Sequence, residues 1–384
     1  MRIVHVCLAA FYIDKFSYQE NVLPRMHKLQ GNDVMILAST ETVSSDNQLD
    51  YVKPSRYINC DGIPVIRLPY VSWLPKVLVR KLRLYPNVYV TLCEFKPDVI
   101  FLHDVQFLSI HQIKRYVKGN QTVKIIADGH ADYINSARGF ISKYILHGLI
   151  YRYAAQTILP YIMKFYGTLP SRERFFREMY HIPQEKIGFL PMGADDTLVE
   201  IVKGDGSRAK IRRDYGFSDD DYILITGGKI DEKKIETLNL MDAVIECPDN
   251  VKLIVFGAVA PGIKKDFESR LVPNKITMFG WANEKQSYQL LNAADIAVFP
   301  CYHSTLWEQS AGIGLPCILH EIEGFTHINI NNNCYMVKKC DKKDLVKAIK
   351  MCIKNYPSLR NNAIECASNF SYDHIAKDVL KGLI

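Results

Sequence analysis

The ten cysteines of this 384-residue chain are scattered, and no Cys-x-x-Cys pair occurs. Among so many strand-like runs, that pattern argues against a disulfide scaffold and for reduced thiols packed in the interior, in a cytosolic setting. The chain also lacks an uninterrupted apolar run of bilayer length. Its greasiest stretch, Phe140 to Met163, is broken by Lys143, His147 and Arg152, so membrane contact is expected to be peripheral. Met1-Arg2 leads directly into a strand-like run with no cleavage site, which predicts no signal peptide. No internal repeat, low-complexity segment or disordered tail is visible. Nucleic acid is a weaker candidate and is not expected as a partner, because no recognition motif appears and a net charge of +7 is modest. No Asp-x-Asp metal motif is evident.

What is present suits two globular domains. Apolar residues make up 48% and charged residues 23%, ordinary for a globular protein, and the length allows two cores. The pI near 8.7 hints at an anionic partner. Strands and helices alternate from the start: Ile3 to Ala9, the helix Gln19 to Leu29 closed by Gly31, then Asp33 to Ala38, Pro64 to Leu68, Val99 to Leu102 and Val123 to Asp128. Such alternation predicts a doubly wound parallel α/β sheet. The second half repeats it with Tyr222 to Thr226, Lys252 to Phe256, Ile276 to Phe279, Ile296 to Phe299 and Cys317 to His320. It ends in helices over Lys342 to Asn355, Asn361 to Ser368 and Tyr372 to Ile384. Lys203 to Ser207 reads as a glycine-rich linker, placing a boundary near residue 200.

Chemistry-bearing residues fall where these strands end, which in an open parallel sheet is where ligands bind. Ala294 to Phe325 reads as a strand, a polar loop, a helix opening near Glu308 and closing at Gly314, and a second strand. Gly227-Gly228-Lys229 and Lys233-Lys234 follow another strand; glycines let amides approach an anion, and two lysines a helical turn apart can clamp a diphosphate. His103-Asp104 and Asp128-Gly129-His130 end two strands of the first half. Tyr18-Gln19-Glu20-Asn21 stands at a helix start. Two basic stretches, Trp73 to Tyr89 and Arg138 to Lys186, interleave cations with leucines and aromatics; such faces either pack on the core or lie on an anionic membrane.

The block from Ile296 to Pro316 resembles the donor-binding signature of retaining GT-B-fold glycosyltransferases of family 4 (glycosyl transferases group 1), of the kind that build bacterial surface polysaccharides. There a strand ending in Pro precedes a Glu-x7-Glu stretch and Gly-x-Pro. Glu308, Gly314 and Pro316 fit, while Pro300 stands where the first Glu belongs, so His303, Ser304 or a neighbouring amide must replace that carboxylate. Gly193 and Asp195 resemble the turn that ends the family's first domain. Lys229 resembles its Arg, and Lys234, with Lys233 as fallback, its Lys.

The resemblance implies a GT-B fold of two Rossmann-like domains facing a central cleft. Residues 1–198 would bind the acceptor, residues 199–370 the nucleotide sugar, and 371–384 would form a helix crossing back to the first domain. Lys229, Lys234 and His130 are the implied catalytic residues. Gly228, Lys229, Lys233, Lys234, Gly280, Trp281, Ser304, Thr305, Leu306 and Glu308 would hold the donor, and Tyr18, Gln19, Glu20, His103 and Asp104 the acceptor. No metal and no cofactor are implied, the lysines serving in a metal's place. The expected reaction moves a sugar from a UDP- or GDP-sugar to a hydroxyl of a glycan or lipid-linked acceptor, with retention. The implied setting is the cytoplasm, with contact at the inner face of an anionic plasma membrane. Two alternatives remain open: a non-catalytic nucleotide-sugar binder and a GT-B-fold epimerase, although no carboxylate cluster suited to epimerase elimination chemistry is visible.

Overall fold

The computed structural model describes residues 1–43 and 49–383. The chain divides into unit 1, Met1–Pro191 with Ala376–Ile384, and unit 2, Met192–Ile375.

Unit 1 contains β1 (Arg2–Cys7), β2 (Asp33–Ser39), β3 (Glu41–Val43), β4 (Leu49–Tyr51), β5 (Ser55–Ile58), β6 (Pro64–Leu68), β7 (Val99–His103), β8 (Lys124–Gly129), β9 (Ile162–Gly167) and β10 (Ile187–Phe189). Eight of these form one sheet in the order β10-β9-β8-β7-β1-β2-β6-β5, and β3 and β4 pair separately. All neighbours in the large sheet run parallel except β5, which pairs antiparallel with β6 at the edge. The central strands are apolar throughout because helices cover both faces: Val4, Val6, Ile100, Leu102 and Ile125 belong to the core and are fully buried. Burying each such side chain is worth about 1.5–3 kcal/mol, enough to fix the strands while their carboxyl-terminal loops vary.

Unit 2 contains β11 (Tyr222–Ile230), β12 (Val251–Val259), β13 (Ile276–Gly280), β14 (Ile296–Phe299), β15 (Cys317–His320) and β16 (Cys334–Val337). They form a parallel sheet in the order β13-β12-β11-β14-β15-β16, with Leu224, Leu253, Val255, Ile296, Val298 and Ile318 in its core. The strand order reverses at β11, which lies between β12 and β14. In unit 1 it reverses at β1, between β2 and β7.

Several expectations need correction. The basic stretch Arg138 to Lys186 is not one amphipathic surface: it holds a wide π-type helix Ile141–Tyr151, the helix Arg152–Ile158, β9, and the helix Pro170–Met179. β16 was also unforeseen. Lys203 to Ser207 is no linker, because Asp196–Gly204 and Ser207–Asp214 are both helical and only Asp205-Gly206 turns between them. The expected division at 198 therefore falls inside a helix, and the chain passes from one unit to the other at Pro191 and Met192. Tyr372–Lys381 is helical, and residue 384 lies outside the described residues.

Candidate functional site

In unit 2 the switch point between β11 and β14 collects the chemistry. β14 pairs with β11 only at Leu224 and Ile225, while β12 follows β11 all the way to Ile230. Beyond Ile225 and Ala297, β11 and β14 no longer pair, parting at a notch. Gly228 sits in that notch at φ +103°, paired with Gly257 at φ +117°. A side-chain carbon placed on Gly228 would stand 3.7 Å from Leu306 and 3.8 Å from the Nζ of Lys234, so the glycine turn, the second lysine and the start of the next helix converge. Lys229 leans outward, its side chain 74% exposed and its Nζ 3.5 Å from Asp231 Oδ2.

The helix after β14 spans Leu306–Gly312, opening two residues before Glu308, and Gly314 follows at φ +85°. Glu308 lies in its first turn and is fully buried. Its Oε1 accepts from Nε2 of His303 at 2.7 Å and Nε2 of His327 at 2.8 Å. Its Oε2 is buried with no hydrogen-bond partner among the described residues. Burial opposes ionisation, but the two imidazoles outweigh it and hold the carboxyl down at about 2. His327, which carried no signal in the sequence, thus stands against Glu308. The ligand atoms of His303, Glu308 and His327 lie within 4.8 Å of one another, a spacing that could hold a metal ion.

In unit 1 a second cluster lies where β7 and β8 end beside the first helix. Asp128 Oδ2 receives His103 Nδ1 at 2.9 Å and the Gln19 amide at 2.9 Å. His130 Nε2 lies 3.4 Å from Asp128 Oδ1 and 3.8 Å from Glu20 Oε1. Burial disfavours the charged imidazole, but Asp128 and Glu20 outweigh it and raise His130 to about 9. Asp128 itself is held well below the usual carboxylate range: burial opposes this, and His103 and His130 prevail. Asp104, at φ +69°, accepts the His130 amide at 3.3 Å, and burial pushes its carboxyl up.

These contacts change the expected acceptor set. His103 is fully buried with both ring nitrogens bonded inside the protein, and Asp104 is 5% exposed, so neither presents an edge to an acceptor. Gln19 and Glu20 are buried against Asp128 and His130, whereas Tyr18 is exposed. Although ligand atoms of Glu20, His103 and His130 lie within 4.8 Å of one another, His103 has no lone pair to spare for a metal. One run, Asp219 to Asp221, does have Asp-x-Asp spacing, but it stands at the amino end of β11, away from the notch.

Residues 207–370 match the Glycosyl transferases group 1 family. The matched stretch lies within unit 2. No curated protein matches the chain's sequence. Solved structures do match along its whole length. Sucrose-phosphate synthase from Thermosynechococcus elongatus is 16% identical, covering 98% of this chain and 97% of its own at a TM-score of 0.66. HepE of Anabaena, in complex with UDP and glucose, is 14% identical with 99% and 98% covered and a TM-score of 0.66. The catalytic domain of starch synthase IV from Arabidopsis thaliana, bound to ADP and acarbose, is 14% identical with 99% and 98% covered and a TM-score of 0.63. At these identities the likeness is one of fold, and the fold is GT-B.

Within unit 2 the remaining candidates are loop residues. Gly280 turns at φ +89° and Trp281 is 69% exposed, just before Asn283 and Gln286 cap the next helix reciprocally. Ser304 and Thr305 precede Leu306, and the Ser304 carbonyl accepts the Trp307 amide at 3.0 Å. Lys233 donates its amide to Asp231 at 3.1 Å.

Proposed function

We propose that this protein transfers a sugar, with retention, from a UDP- or GDP-sugar to a hydroxyl of a glycan or lipid-linked acceptor in surface-polysaccharide synthesis. The observation that carries the reading is the convergence of Gly228, Lys234 and Leu306 in the notch beside β11, two residues before the buried carboxylate of Glu308. Amides and lysine charge there suit a diphosphate. Ribose hydroxyls would complete the bonding of Glu308 Oε2 once His303 or His327 swings aside. Lys229 and Lys234 would stabilise charge on the departing diphosphate, with no metal or other cofactor in this reading. Gly280, Trp281, Ser304 and Thr305 would line the base and sugar. Tyr18 would meet the acceptor, Gln19 and Glu20 would hold Asp128 and His130 behind it, and the imidazolium of His130 would approach the transferred sugar.

The membrane reading rests on unit 1. Trp73, Val77, Phe140, Ile141, Leu149 and Tyr153 are each more than 60% exposed, and Val77, Arg80 and Lys81 share a hollow of about 450 Å³ with Ser142 and Leu146. Cations beside exposed apolar residues fit a peripheral seat on the anionic inner face of a plasma membrane. No helix among the described residues is long and apolar enough to cross one.

A panel of nucleotide sugars in a thermal-shift assay, followed by transfer of labelled sugar with and without lipid-linked acceptor, tests the reading. A donor at 100 times its dissociation constant should add roughly 2.7 kcal/mol. A product with the donor's anomeric configuration supports it. Binding without transfer would favour a nucleotide-sugar sensor instead, a reading motivated by Pro300 in place of the first Glu and by the sealed carboxylate of Glu308.

A further inference from the structure

A row of three buried histidines runs across unit 1 from Asp128 to the last helix. His103 Nδ1 lies 2.9 Å from Asp128 Oδ2, His103 Nε2 lies 2.9 Å from His5 Nδ1, His5 Nε2 lies 2.9 Å from His27 Nδ1, and His27 Nε2 lies 3.1 Å from the Ala376 carbonyl oxygen. All three rings are fully buried, and Phe101 stacks on His5 and His103. The order follows the sheet: Asp128 pairs with His103 across β8 and β7, His5 sits opposite Phe101 on β1, and His27 lies on the helix covering that face.

The row contains four hydrogen bonds, each needing one proton between its two heavy atoms. Its two ends, a carboxylate and a peptide carbonyl, can only accept. Three neutral imidazoles supply three N–H groups, one too few. Starting from Ala376, His27 must donate through Nε2 and accept at Nδ1, His5 must donate through Nε2 and accept at Nδ1, and His103 must donate through Nε2. The Asp128 end then still lacks a proton. Burial holds His5 down and His27 at about 4, so both rings stay neutral, and the Gln19 amide donating to Asp128 favours the carboxylate form.

The geometry points to His103 as a doubly protonated imidazolium whose extra proton is required by the seat of the last helix, at Ala376, and which acts as a positioning residue holding Asp128 as a carboxylate beside His130. The groups facing His130 are Asp128, Glu20, Asp104 and Arg172, and His103 acts on it through Asp128. Its role for His130 in turnover rests on the function proposed above; the proton count does not.

The test is nitrogen-15 NMR of the full chain with labelled histidine at pH 7.5, assigned with single variants. His103 should show both nitrogens protonated, and His5 and His27 the neutral Nε2–H form. His27→Phe removes two of the four bonds and leaves two rings for two bonds, so His103 should become neutral with its proton on Nδ1. His27→Gln, which can donate to Ala376 and accept from His5, should keep His103 charged. A neutral His103 in the unsubstituted protein, including the case where Asp128 carries the proton, would overturn the proposal. So would a His103 unaltered by His27→Phe. Should that variant not fold, the unsubstituted spectrum decides alone. Loss of the charge also removes repulsion from His130, so the alkaline limb of activity should move to higher pH in His27→Phe. The expected spectra without that movement would count against His130's part in transfer, not against the row.

Discussion

A side-chain carbon on Gly257 would stand 2.0 Å from the carbonyl oxygen of Gly228. The ends of β11 and β12 at the notch therefore meet backbone to backbone. Gly257→Ala adds a methyl group where there is no space, at a φ of +117° that side chains rarely adopt. The expected outcome is a loss of roughly 1–3 kcal/mol in chemical unfolding, with weaker nucleotide binding by calorimetry because Gly228 is displaced.

Lys229→Ala and Lys234→Ala should each lower kcat/KM by roughly 100- to 1,000-fold, the usual loss on removing a charge-stabilising donor. The exposed position of Lys229 predicts no measurable change in melting temperature for that variant. Turnover equal to the unsubstituted protein would remove Lys229 from the chemistry.

Glu308 makes stability depend on acid. Its folded value of about 2 lies below the ordinary 4.5, so its contribution is complete above about 4.5 and is lost as pH falls through 2. The displacement is worth roughly 3 kcal/mol. Urea unfolding between pH 2 and 5 should show this slope in the unsubstituted protein and a flatter one in Glu308→Gln.

His130 works in the opposite direction. Raised from 6.5 to about 9, it contributes stability fully below 6.5 that disappears as pH rises through 9. Activity that needs the imidazolium should hold to about pH 9 and then fall. In His130→Asn the residual activity should lack that limb.

The strands were legible because apolar runs such as Ile296–Phe299 are bounded by turn residues and buried on both faces. β9 was not: Lys164 interrupts its apolar residues, and the neighbouring basic helices give the whole stretch one composition. Gly228, Lys234 and Glu308 could be placed together because Gly228 lies in the last residues of β11 and Lys234 and Glu308 follow the carboxyl ends of β11 and β14 at the sheet's switch point. His5, His27 and His327 gave no such signal. A single histidine inside a strand, helix or loop has no spacing to mark it, and only the register of β1, β7 and β8 brings His5 and His103 to Asp128.

Because β14 stops pairing after two residues of β11, the seat proposed for the donor is partly written in main chain, which side-chain substitutions away from Gly228 and Gly257 leave largely in place. Side chains around such a seat are free to drift through evolution while its outline persists. That is one physical route by which a fold endures at 14–16% identity.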